Sequence, residues 1–583
     1  MKNKRALSLI LPSLLLPSCG KGILLEGYES IRRQDVAFYD LSREYALEEA
    51  SIPTYFVGHG SIPYVSPESF FKNLKGLVNG DKYTYLYTGD SLRIAPQNNP
   101  SAYCTFDVSS DEISFRDYDA FAGGLLDFAS GGVSYSFGAR LRYAGYSTSA
   151  AKEVVLPVGE YGFDLVARGG NVLVPFALMN LIFFSPQYYN AAYNGSAYYG
   201  GYTSWTSDLD FSKGEGDAEI KEIYADSPYA KRGYRTGEET DAFYHSLMFQ
   251  FDYFYGLKEE MGVESYADYA RKNNLEKGLL SNDPAEEASA LYRFFDQGMN
   301  DLHTSMYSGR PSFYQGAASR ALTPSEDDHG SKYRAYRDAY LSIRSSREEN
   351  KGEADSLPEY EKSGDTAIIR FDSFDGATME EVYGPNGDEI QLDHYEKDAY
   401  LYLYKYLHQA DEDPAIKNVV IDLSLNGGGY IAEMYQVIGF LTDDPLTYCY
   451  SSTLTGQSTE ISYRVDSDFD GDWDDDDSFR NRFSFYLLTS PCSYSAANAM
   501  AVLCQRNGYA KTIGVPSGGG TCSVLPGCTS DGFVFQMSSP DVLYSYVGGR
   551  KKNFESGCEI DLPFTDYSKY ADASAIASLI DAQ

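Results

Sequence analysis

A serine near the C-terminus lies where a strand-like run gives way to a helix-like run. The segment FSFYLLTS (483–490) has the apolar pattern of a buried strand, and AANAMAVLCQRNG (496–508) has that of a helix. Ser495 directly precedes this helix, where unpaired N–H groups and the helix dipole favour developing negative charge. Ser495 could therefore be a nucleophile, with the Ala496 N–H in its oxyanion hole. The alternative is an ordinary N-cap serine.

A run of glycines follows another buried strand. NVVIDLSL (418–425) has the apolar run Val419–Ile421 and two further leucines, and Asn426 is followed by Gly427, Gly428 and Gly429. Glycines at the C-terminal end of a strand let the backbone approach a ligand closely and present N–H groups to it. The alternative is a tight turn before the next helix.

An acidic insertion, VDSDFDGDWDDDDSF (465–479), has the residue spacing of a calcium loop. Its expected ligands are Asp466, Asp468 and Asp470 through carboxylates, Asp472 through its carbonyl, Asp474 directly or through water, and Asp477 in the last position. So many carboxylates repel one another without a counter-ion. The sequence thus indicates either a Ca²⁺ site or a solvated acidic loop.

Strands and helices alternate from residue 365 onwards, which predicts an α/β domain over 365–583 with a mostly parallel sheet flanked by helices. Residues 51–205 contain many short strand and turn patterns and predict a β-rich (α+β) accessory domain. Residues 206–364 predict a helical segment followed by a charged, exposed connection. We expect these three units to follow a tether over residues 19–50.

The N-terminus has basic residues at Lys2, Lys4 and Arg5, an apolar stretch, and Cys19. This pattern predicts a signal peptide over residues 1–18, and it resembles a bacterial lipoprotein signal, which implies a lipid on Cys19. An ordinary cleaved signal is the alternative. If Cys19 is lipidated, seven cysteines remain, and Cys522 and Cys528 are close enough in sequence for a small disulfide loop. The net charge of −36 argues against nucleic acid or an anionic membrane surface as a partner.

Together, AIIRFDSF, NVVIDLSLNGGGY, LLTSPCSYSAANAMAVL and AKTIGVPSGGG resemble the tail-specific, or C-terminal-processing, serine peptidase family. The resemblance covers about residues 365–565 and implies a crotonase-like ββα core. It implies that Ser495 is the nucleophile and that the Ala496 N–H and a glycine of 427–429 line the oxyanion hole. Many members use a lysine base in a Gly-Lys-Gly turn, but the matching turn here, residues 517–521, has no lysine.

The tricorn-like and chlamydial-secreted-protease-like branch of this family uses Ser, His and Glu. Asp301-Leu302-His303-Thr304 matches the branch's histidine motif, which implies that His303 is the base. Glu555, before Ser556-Gly557, best matches the orienting acid, with Glu559 and Asp561 as alternatives. Residues 305–364 are too polar for the PDZ domain that most members carry, so we expect none there.

The sequence therefore predicts a secreted, lipid-anchored bacterial serine endopeptidase that acts on proteins or peptides by an acyl-enzyme mechanism. Its catalysis would need no cofactor, and the lipid on Cys19 would be its one membrane contact, on the extracellular face. A non-catalytic binding lipoprotein on a degenerate peptidase fold is the alternative, and a hydrolase of non-peptide esters is another.

Overall fold

The computed structural model of the chain describes residues 30–42, 45–48, 50–127, 139–202, 223–224, 226–306, 312–314, 329–384, 390–468, 470–474 and 477–583. Cys19 and the expected signal peptide lie outside these ranges. Within them, the α-helices are Pro67–Asn73, Tyr118–Ala122, Phe176–Met179, Pro228–Arg232, Gly237–Phe254, Tyr266–Lys272, Glu276–Leu279, Pro284–Tyr292, Ser331–Asn350, Met379–Tyr383, Ala399–Asp411, Ile431–Ile438, Ala496–Asn507 and Ala573–Asp581. No helix of the described ranges is long and apolar enough to cross a bilayer.

The core sheet carries the Ser495 and glycine segments. Its strands, in spatial order, are Tyr360–Ser363, Thr366–Arg370, Asn418–Asp422, Ser484–Thr489, Lys511–Gly514 and Leu562–Pro563. All neighbours pair in parallel except the first two strands, which are antiparallel. The four central strands, from Thr366–Arg370 to Lys511–Gly514, match the strands predicted from residue 365 onwards, whereas the two outer strands were not predicted.

Helices cover both faces of the core sheet. Ala399–Asp411, Ile431–Ile438 and Ala496–Asn507 pack on one face, and Ser331–Asn350 and Ala573–Asp581 pack on the other. Strands buried on both faces have to be apolar throughout, which explains the continuous apolar runs in the sequence. The α/β core is therefore as expected.

Three further sheets surround this core in the described part of the chain. One is antiparallel: Tyr83–Thr88, Ser91–Pro96, Cys104–Asp107, Glu112–Phe115 and Val154–Leu156. The N-terminal sheet contains Val166–Arg168, Asn171–Pro175, Tyr64–Val65, Ala50–Val57, Ile31–Asp40, Tyr198–Tyr202 and Tyr189–Tyr193. The bridging sheet contains Ser305–Met306, Val534–Val547, Leu446–Ser452, Ser458–Val465, Leu141–Thr148, Cys522–Cys528 and Arg550–Asn553.

The bridging sheet corrects the predicted domain boundaries. Leu141–Thr148, assigned to the accessory domain, pairs with Ser458–Val465 of the peptidase region. Ser305–Met306, assigned to the helical segment, pairs with Val534–Val547. One apolar cluster also joins the N-terminal sheet, the helices around Phe251 and the strand around Phe535. Pairing between strands that are distant in sequence has no signal in local sequence patterns. The domain boundaries predicted after residues 205 and 364 therefore separated strands that belong to one sheet.

Two predicted connections are regular structure. Ile31–Asp40, within the expected tether, is a strand that buries Val36 and Phe38 and pairs with Ala50–Val57. Ser331–Asn350, within the expected exposed connection, is a helix whose Ala339, Ile343 and Ser346 are buried. A helix that buries so narrow a stripe keeps charged residues on the rest of its surface, and the segment's composition therefore resembled a solvated linker. The expected absence of a PDZ domain falls partly on undescribed residues and stays a prediction.

Cysteines 104, 449, 492, 504, 522, 528 and 558 are all buried and free. Cys522 and Cys528 lie at opposite ends of one strand, so the expected disulfide loop is absent. An extended strand holds two residues six positions apart much too far from each other for a disulfide.

Candidate active site

The parallel register of the core sheet brings the serine turn and the glycine loop together. Asp422 pairs with Leu488, so both strands end at the same edge and the loops that follow them leave side by side. Hydrogen bonds join the loops: Tyr494 N–H donates to Asn426 O at 3.1 Å, and Ser493 Oγ donates to Leu423 O at 2.7 Å. Sites of open α/β sheets lie at this edge.

Ser495 has a strained backbone. Its φ is +57° and its ψ is −121°, and Ala496 behind it begins the helix that ends at Asn507. A positive φ is unfavourable for a residue with a Cβ, and this ψ lies far from the left-handed helical region. Such strain is typical of a nucleophile held at a sharp strand-to-helix turn, where the side chain is presented outwards. No hydrogen bond of Ser495 Oγ was found within the described residues.

Gly428 lies directly against Ser495. A Cβ at Gly428 would be 2.7 Å from Ser495 Cβ, and the φ of Gly428 is +110°, so only glycine fits here. The Gly428 N–H donates to Asn426 Oδ1 at 2.9 Å. Among the expected oxyanion donors, the N–H groups of Ala496, Gly427 and Gly429 therefore remain as candidates. As the first helical residue, Ala496 has no intrahelical acceptor for its N–H.

The glycine-rich turn 517–521 lies on the other side of the serine turn. Gly519 O accepts from Ser495 N–H at 2.9 Å, and a Cβ at Gly520 would be 3.0 Å from Ser495 N. These glycines are needed because two backbones touch here. The turn in which many family members carry a lysine thus supports the serine turn through backbone contacts.

His303 reaches the same place from the helical segment. The chain leaves the π-helix Arg293–Met299 at Asn300, turns, and enters the strand Ser305–Met306. The imidazole is 6% exposed and packs edge-on against the ring of Tyr494, with 4.9 Å between centroids. Since Tyr494 precedes Ser495, the predicted base and nucleophile share one neighbourhood. No hydrogen bond between their side chains was found in the described structure.

Asp301 anchors the His303 turn. Its Oδ1 accepts from His303 N–H at 3.0 Å and from Tyr494 OH at 3.2 Å. Its Oδ2 accepts from the hydroxyls of Thr304 at 2.7 Å, Ser538 at 2.8 Å and Tyr255 at 3.2 Å. This buried carboxylate joins the histidine turn, the serine turn and the bridging sheet. Sequence reasoning used it only as part of the histidine motif.

The His303 imidazole favours its neutral form. Burial lowers its pKa below the ordinary value of 6.5, and the Lys332 ammonium lowers it further. The carboxylates of Asp301 and Glu555 raise the pKa without overcoming burial. His303 Nδ1 is buried and has no hydrogen-bond partner in the described structure. A neutral imidazole is the state that a general base needs before reaction.

Glu555 lies near His303, and its carboxylate is bound by groups other than the histidine. Its Oε1 forms an ion pair with Lys332 Nζ, and its Oε2 accepts from the N–H groups of Gly520 and Thr521, each at 3.1 Å. The expected hydrogen bond between Glu555 and His303 was not found in the described structure, because these three donors hold the carboxylate. Glu555 still acts on His303 through space, since it raises the histidine's pKa.

The two alternatives to Glu555 lie elsewhere. Asp561 Oδ2 accepts from the N–H and the hydroxyl of Thr512, at 2.9 and 3.1 Å. Glu559 is exposed and lies 3.7 Å from Lys552 Nζ. Lys332 is the site residue that sequence reasoning missed, because it lies in the segment interpreted as a solvated connection.

The acidic insertion gathers part of its expected ligand set. The carboxylates of Asp466, Asp468 and Asp470 each offer an oxygen within 4.8 Å of the others. Asp477 is directed differently: its carboxylate accepts from the N–H groups of Ser467 at 2.8 Å and Asp474 at 2.9 Å. The Asp472 N–H donates to Asp470 Oδ1 at 2.7 Å. Oxygen ligands so arranged suit a hard cation such as Ca²⁺.

We expect Asp301→Ala to destabilise the protein by about 3–5 kcal/mol, because it leaves several buried donors without an acceptor. Denaturant unfolding measures this change. Asp301→Asn keeps one acceptor oxygen and should cost less, and Asp268→Ala, at an exposed carboxylate, should change the stability by about 0.5 kcal/mol or less. An Asp301→Ala protein as stable as Asp268→Ala would contradict the anchoring role.

The fold and the serine turn define a class, an α/β core that holds a serine in a strained conformation beside a glycine loop and a buried histidine. Residues 365–542 match the model of Peptidase family S41. This match confirms, for this part of the chain, the family resemblance that the sequence motifs predicted.

Solved structures with distant similarity include a putative peptidase from Parabacteroides merdae, with 16% identity, a TM-score of 0.41, and coverage of 60% of this chain and 99% of that one. A lipoprotein from Streptococcus agalactiae has 12% identity and a TM-score of 0.31, covering 56% and 91%. Mature CPAF complexed with lactacystin has 15% identity and a TM-score of 0.26; the match covers 40% of this chain and only 54% of that one. No curated protein matched the chain.

Proposed function

We propose that the protein is a serine endopeptidase that is secreted and held by a lipid on Cys19 at the extracellular face of a bacterial membrane. The observation that carries the catalytic part is the strained Ser495 turn, with the Gly428 backbone against it and the His303 ring packed on the adjacent Tyr494. Strain of this kind costs about 1–3 kcal/mol and persists where function requires it. The lipid anchor rests on the sequence before Cys19.

In the acylation step, Ser495 Oγ attacks the carbonyl carbon of the peptide bond. Neutral His303 accepts the Oγ proton and later donates it to the leaving amine. The Ala496 N–H and an N–H of Gly427 or Gly429 donate to the developing oxyanion, which a helix N-terminus also favours.

In the deacylation step, a water molecule attacks the acyl-enzyme, and His303 accepts its proton and returns it to Ser495 Oγ. The negative charges of Asp301 and Glu555, which both raise the pKa of His303, stabilise the imidazolium that forms in each step. Asp301 acts at a distance from the reacting atoms, because it holds the His303 backbone and not its ring.

A fluorophosphonate probe tests this function, because it reacts with an activated serine as fluoride leaves and the serine proton passes to the base. We expect wild-type protein to be labelled at Ser495, as read by mass spectrometry, and Ser495→Ala to remain unlabelled. A peptide-library digest should then show cleaved peptide bonds. Absence of labelling in folded wild-type protein would contradict the enzyme proposal.

One observation supports the alternative, a binding lipoprotein without turnover: Ser495, His303 and Glu555 are not joined by hydrogen bonds in the described structure, and Glu555 is paired with Lys332. Catalytic hydrogen bonds are often formed only in the substrate complex, so this geometry alone does not exclude catalysis. Labelled protein that cleaves esters but no peptides would indicate an esterase instead.

We expect the rate of probe labelling to stay high as the pH falls, with its acid midpoint below pH 6.5. The pKa of His303 in the folded state is lowered, so the base stays neutral to a lower pH than an exposed histidine would. The same shift makes its contribution to stability fully present above the unfolded pKa of 6.5, and this contribution is lost as the pH falls through the folded pKa. A labelling midpoint above pH 6.5 would contradict a buried neutral base.

We further propose that the acidic insertion binds Ca²⁺ as a structural ion, with Asp466, Asp468 and Asp470 as carboxylate ligands. Ca²⁺ at a hundred times its Kd should stabilise the protein by about 2.7 kcal/mol, seen as a higher melting temperature than in EDTA. Asp468→Asn/Asp470→Asn should abolish this difference. Asp472→Asn is the matched control, because Asp472 would contribute only its carbonyl. Equal melting of wild-type protein in Ca²⁺ and EDTA would contradict the site.

A further inference from the structure

Lys332 is brought to the active site by the loop that carries His303. Asn300, with φ +46°, ends the π-helix just before the histidine turn. Its Oδ1 accepts from Lys332 N–H at 2.8 Å and from Ser331 Oγ at 3.3 Å, at the start of the helix Ser331–Asn350. A Cβ at Gly330 would lie 2.6 Å from the same Oδ1, so the helix start is closely packed on Asn300. One residue thus sets the positions of both His303 and Lys332.

The rest of this helix is fixed to the core sheet. Its Ala339 and Ile343 pack against Ile368 and Val420, and its Tyr336 O accepts from Cys492 Sγ at 3.2 Å. Lys332 is therefore held at both ends of the helix turn it occupies, and its side chain is 32% exposed. The fixed position of the helix therefore places the Lys332 side chain next to Glu555, with which it forms an ion pair.

Lys332 and the turn 517–521 hold Glu555 from opposite sides. The ammonium pairs with Oε1, while the N–H groups of Gly520 and Thr521 occupy Oε2. The same turn accepts the Ser495 N–H through Gly519 O. Glu555 therefore links the lysine to the backbone that supports the nucleophile.

We propose that Lys332 is a positioning residue for the peptidase reaction: it fixes Glu555 on the Gly520–Thr521 turn and balances its charge, so that His303 remains neutral and ready to accept the Ser495 proton. This inference rests on the proposed function. The glycine-rich turn has no lysine of its own, and the carboxylate that it binds is paired with a lysine from a different helix.

The charge of Lys332 matters because two carboxylates act on the His303 imidazole. Asp301 and Glu555 are the carboxylates that act on the imidazole, and Lys332 is the cation that acts on it. Burial, Asp301 and Glu555 raise the pKa values of the neighbouring Tyr494 and Cys522, so both groups stay neutral. Without Lys332, two carboxylates would face a buried imidazole with none of the described cations acting on it, which favours its protonation.

The test is the pH dependence of fluorophosphonate labelling at Ser495 in the full chain. In Lys332→Gln we expect the acid midpoint to rise by about one pH unit, so that labelling at pH 6 slows by up to about tenfold more than at pH 8. Lys332→Arg keeps the cation and should restore the wild-type midpoint. Lys332→Gln/Glu555→Gln removes both charges and should bring the midpoint back towards wild type.

A second readout separates this inference from the proposed function. Carbethoxylation of His303 by diethylpyrocarbonate, followed by mass spectrometry, reports the neutral imidazole without requiring Ser495. Its pH midpoint should also rise in Lys332→Gln and not in Lys332→Arg. Unlabelled wild-type Ser495 would overturn the peptidase proposal, whereas labelled protein with the same two midpoints in wild type and Lys332→Gln would overturn the role of Lys332 alone. A lysine that is merely structural would lower stability and leave both midpoints unchanged.

Discussion

Replacing Ser495 should abolish peptide cleavage whichever residue replaces it, whereas the stability of the protein should depend on the replacement. We expect both Ser495→Ala and Ser495→Gly to lose peptide cleavage by about ten-thousand-fold or more, since a removed nucleophile leaves only binding and the oxyanion hole. Ser495→Gly should unfold with a free energy about 1 kcal/mol higher than Ser495→Ala, because glycine accepts a positive φ without strain. Denaturant unfolding of the two variants provides this comparison.

The pair of variants is its own control, because the two differ by one methyl group and share the loss of the hydroxyl. Equal stability of the two variants would mean that the turn is not strained. Retained cleavage in either would exclude Ser495 as the nucleophile.

Replacing His303 should have an effect of similar size on the reaction. We expect His303→Ala to lower the rates of peptide cleavage and of probe labelling by about ten-thousand-fold, because no other group would take the serine proton. Added imidazole should restore part of the labelling, since a small base can enter the space left beside Tyr494. A labelling time course with and without imidazole measures both effects.

His329 is the matched control for this variant. It is a second histidine near the start of the helix Ser331–Asn350, where it stacks on Tyr333 with 4.1 Å between ring centroids. We expect His329→Ala to label at the wild-type rate. If His303→Ala also labels normally, the base is another group and the assignment is wrong. If its labelling falls and imidazole gives no rescue, the loss is one of folding rather than of proton transfer.

These variants test residues from distant parts of the chain. The proposed nucleophile, Ser495, lies in the turn after one core strand, and the proposed base, His303, lies in a helical segment almost two hundred residues earlier. Tyr494 and the Asp301 carboxylate connect the two segments. Loss of the His303 side chain should therefore affect activity more than stability, whereas loss of the neighbouring Asp301 carboxylate should affect stability directly.

Much of the core was predictable from sequence because its signals are local. Parallel strands buried on both faces have to be apolar, and a helix after a tight turn has to begin with small residues, so FSFYLLTS and AANAMAVL indicate the Ser495 turn directly. The close approach of the backbone at Gly427–Gly429 was also predictable, because only glycines leave room for it. The position of the Ser495 loop beside the Gly428 loop follows once two neighbouring strands are parallel and in register.

Other features were decided only by the tertiary structure. The strand Leu141–Thr148 belongs to the bridging sheet because of a partner more than three hundred residues away, and pairing of that kind has no local sequence signal. The helix Ser331–Asn350 was mistaken for a solvated connection because its surface is charged and it buries only a narrow stripe. The position of Lys332 depends on that helix and could not be predicted without it.

The Ser495 turn shows where this division falls. The strand before Ser495, the helix after it and the glycines beside it depend on the residue types within a few positions of each. These local patterns can be read from the sequence. The partners of His303 and Glu555 are consequences of electrostatics and packing between remote segments, which depend on distances that only the folded chain defines. The sequence by itself therefore predicted a serine at a strand-to-helix turn beside a glycine loop. The tertiary structure decided which charged groups lie around His303, the proposed base.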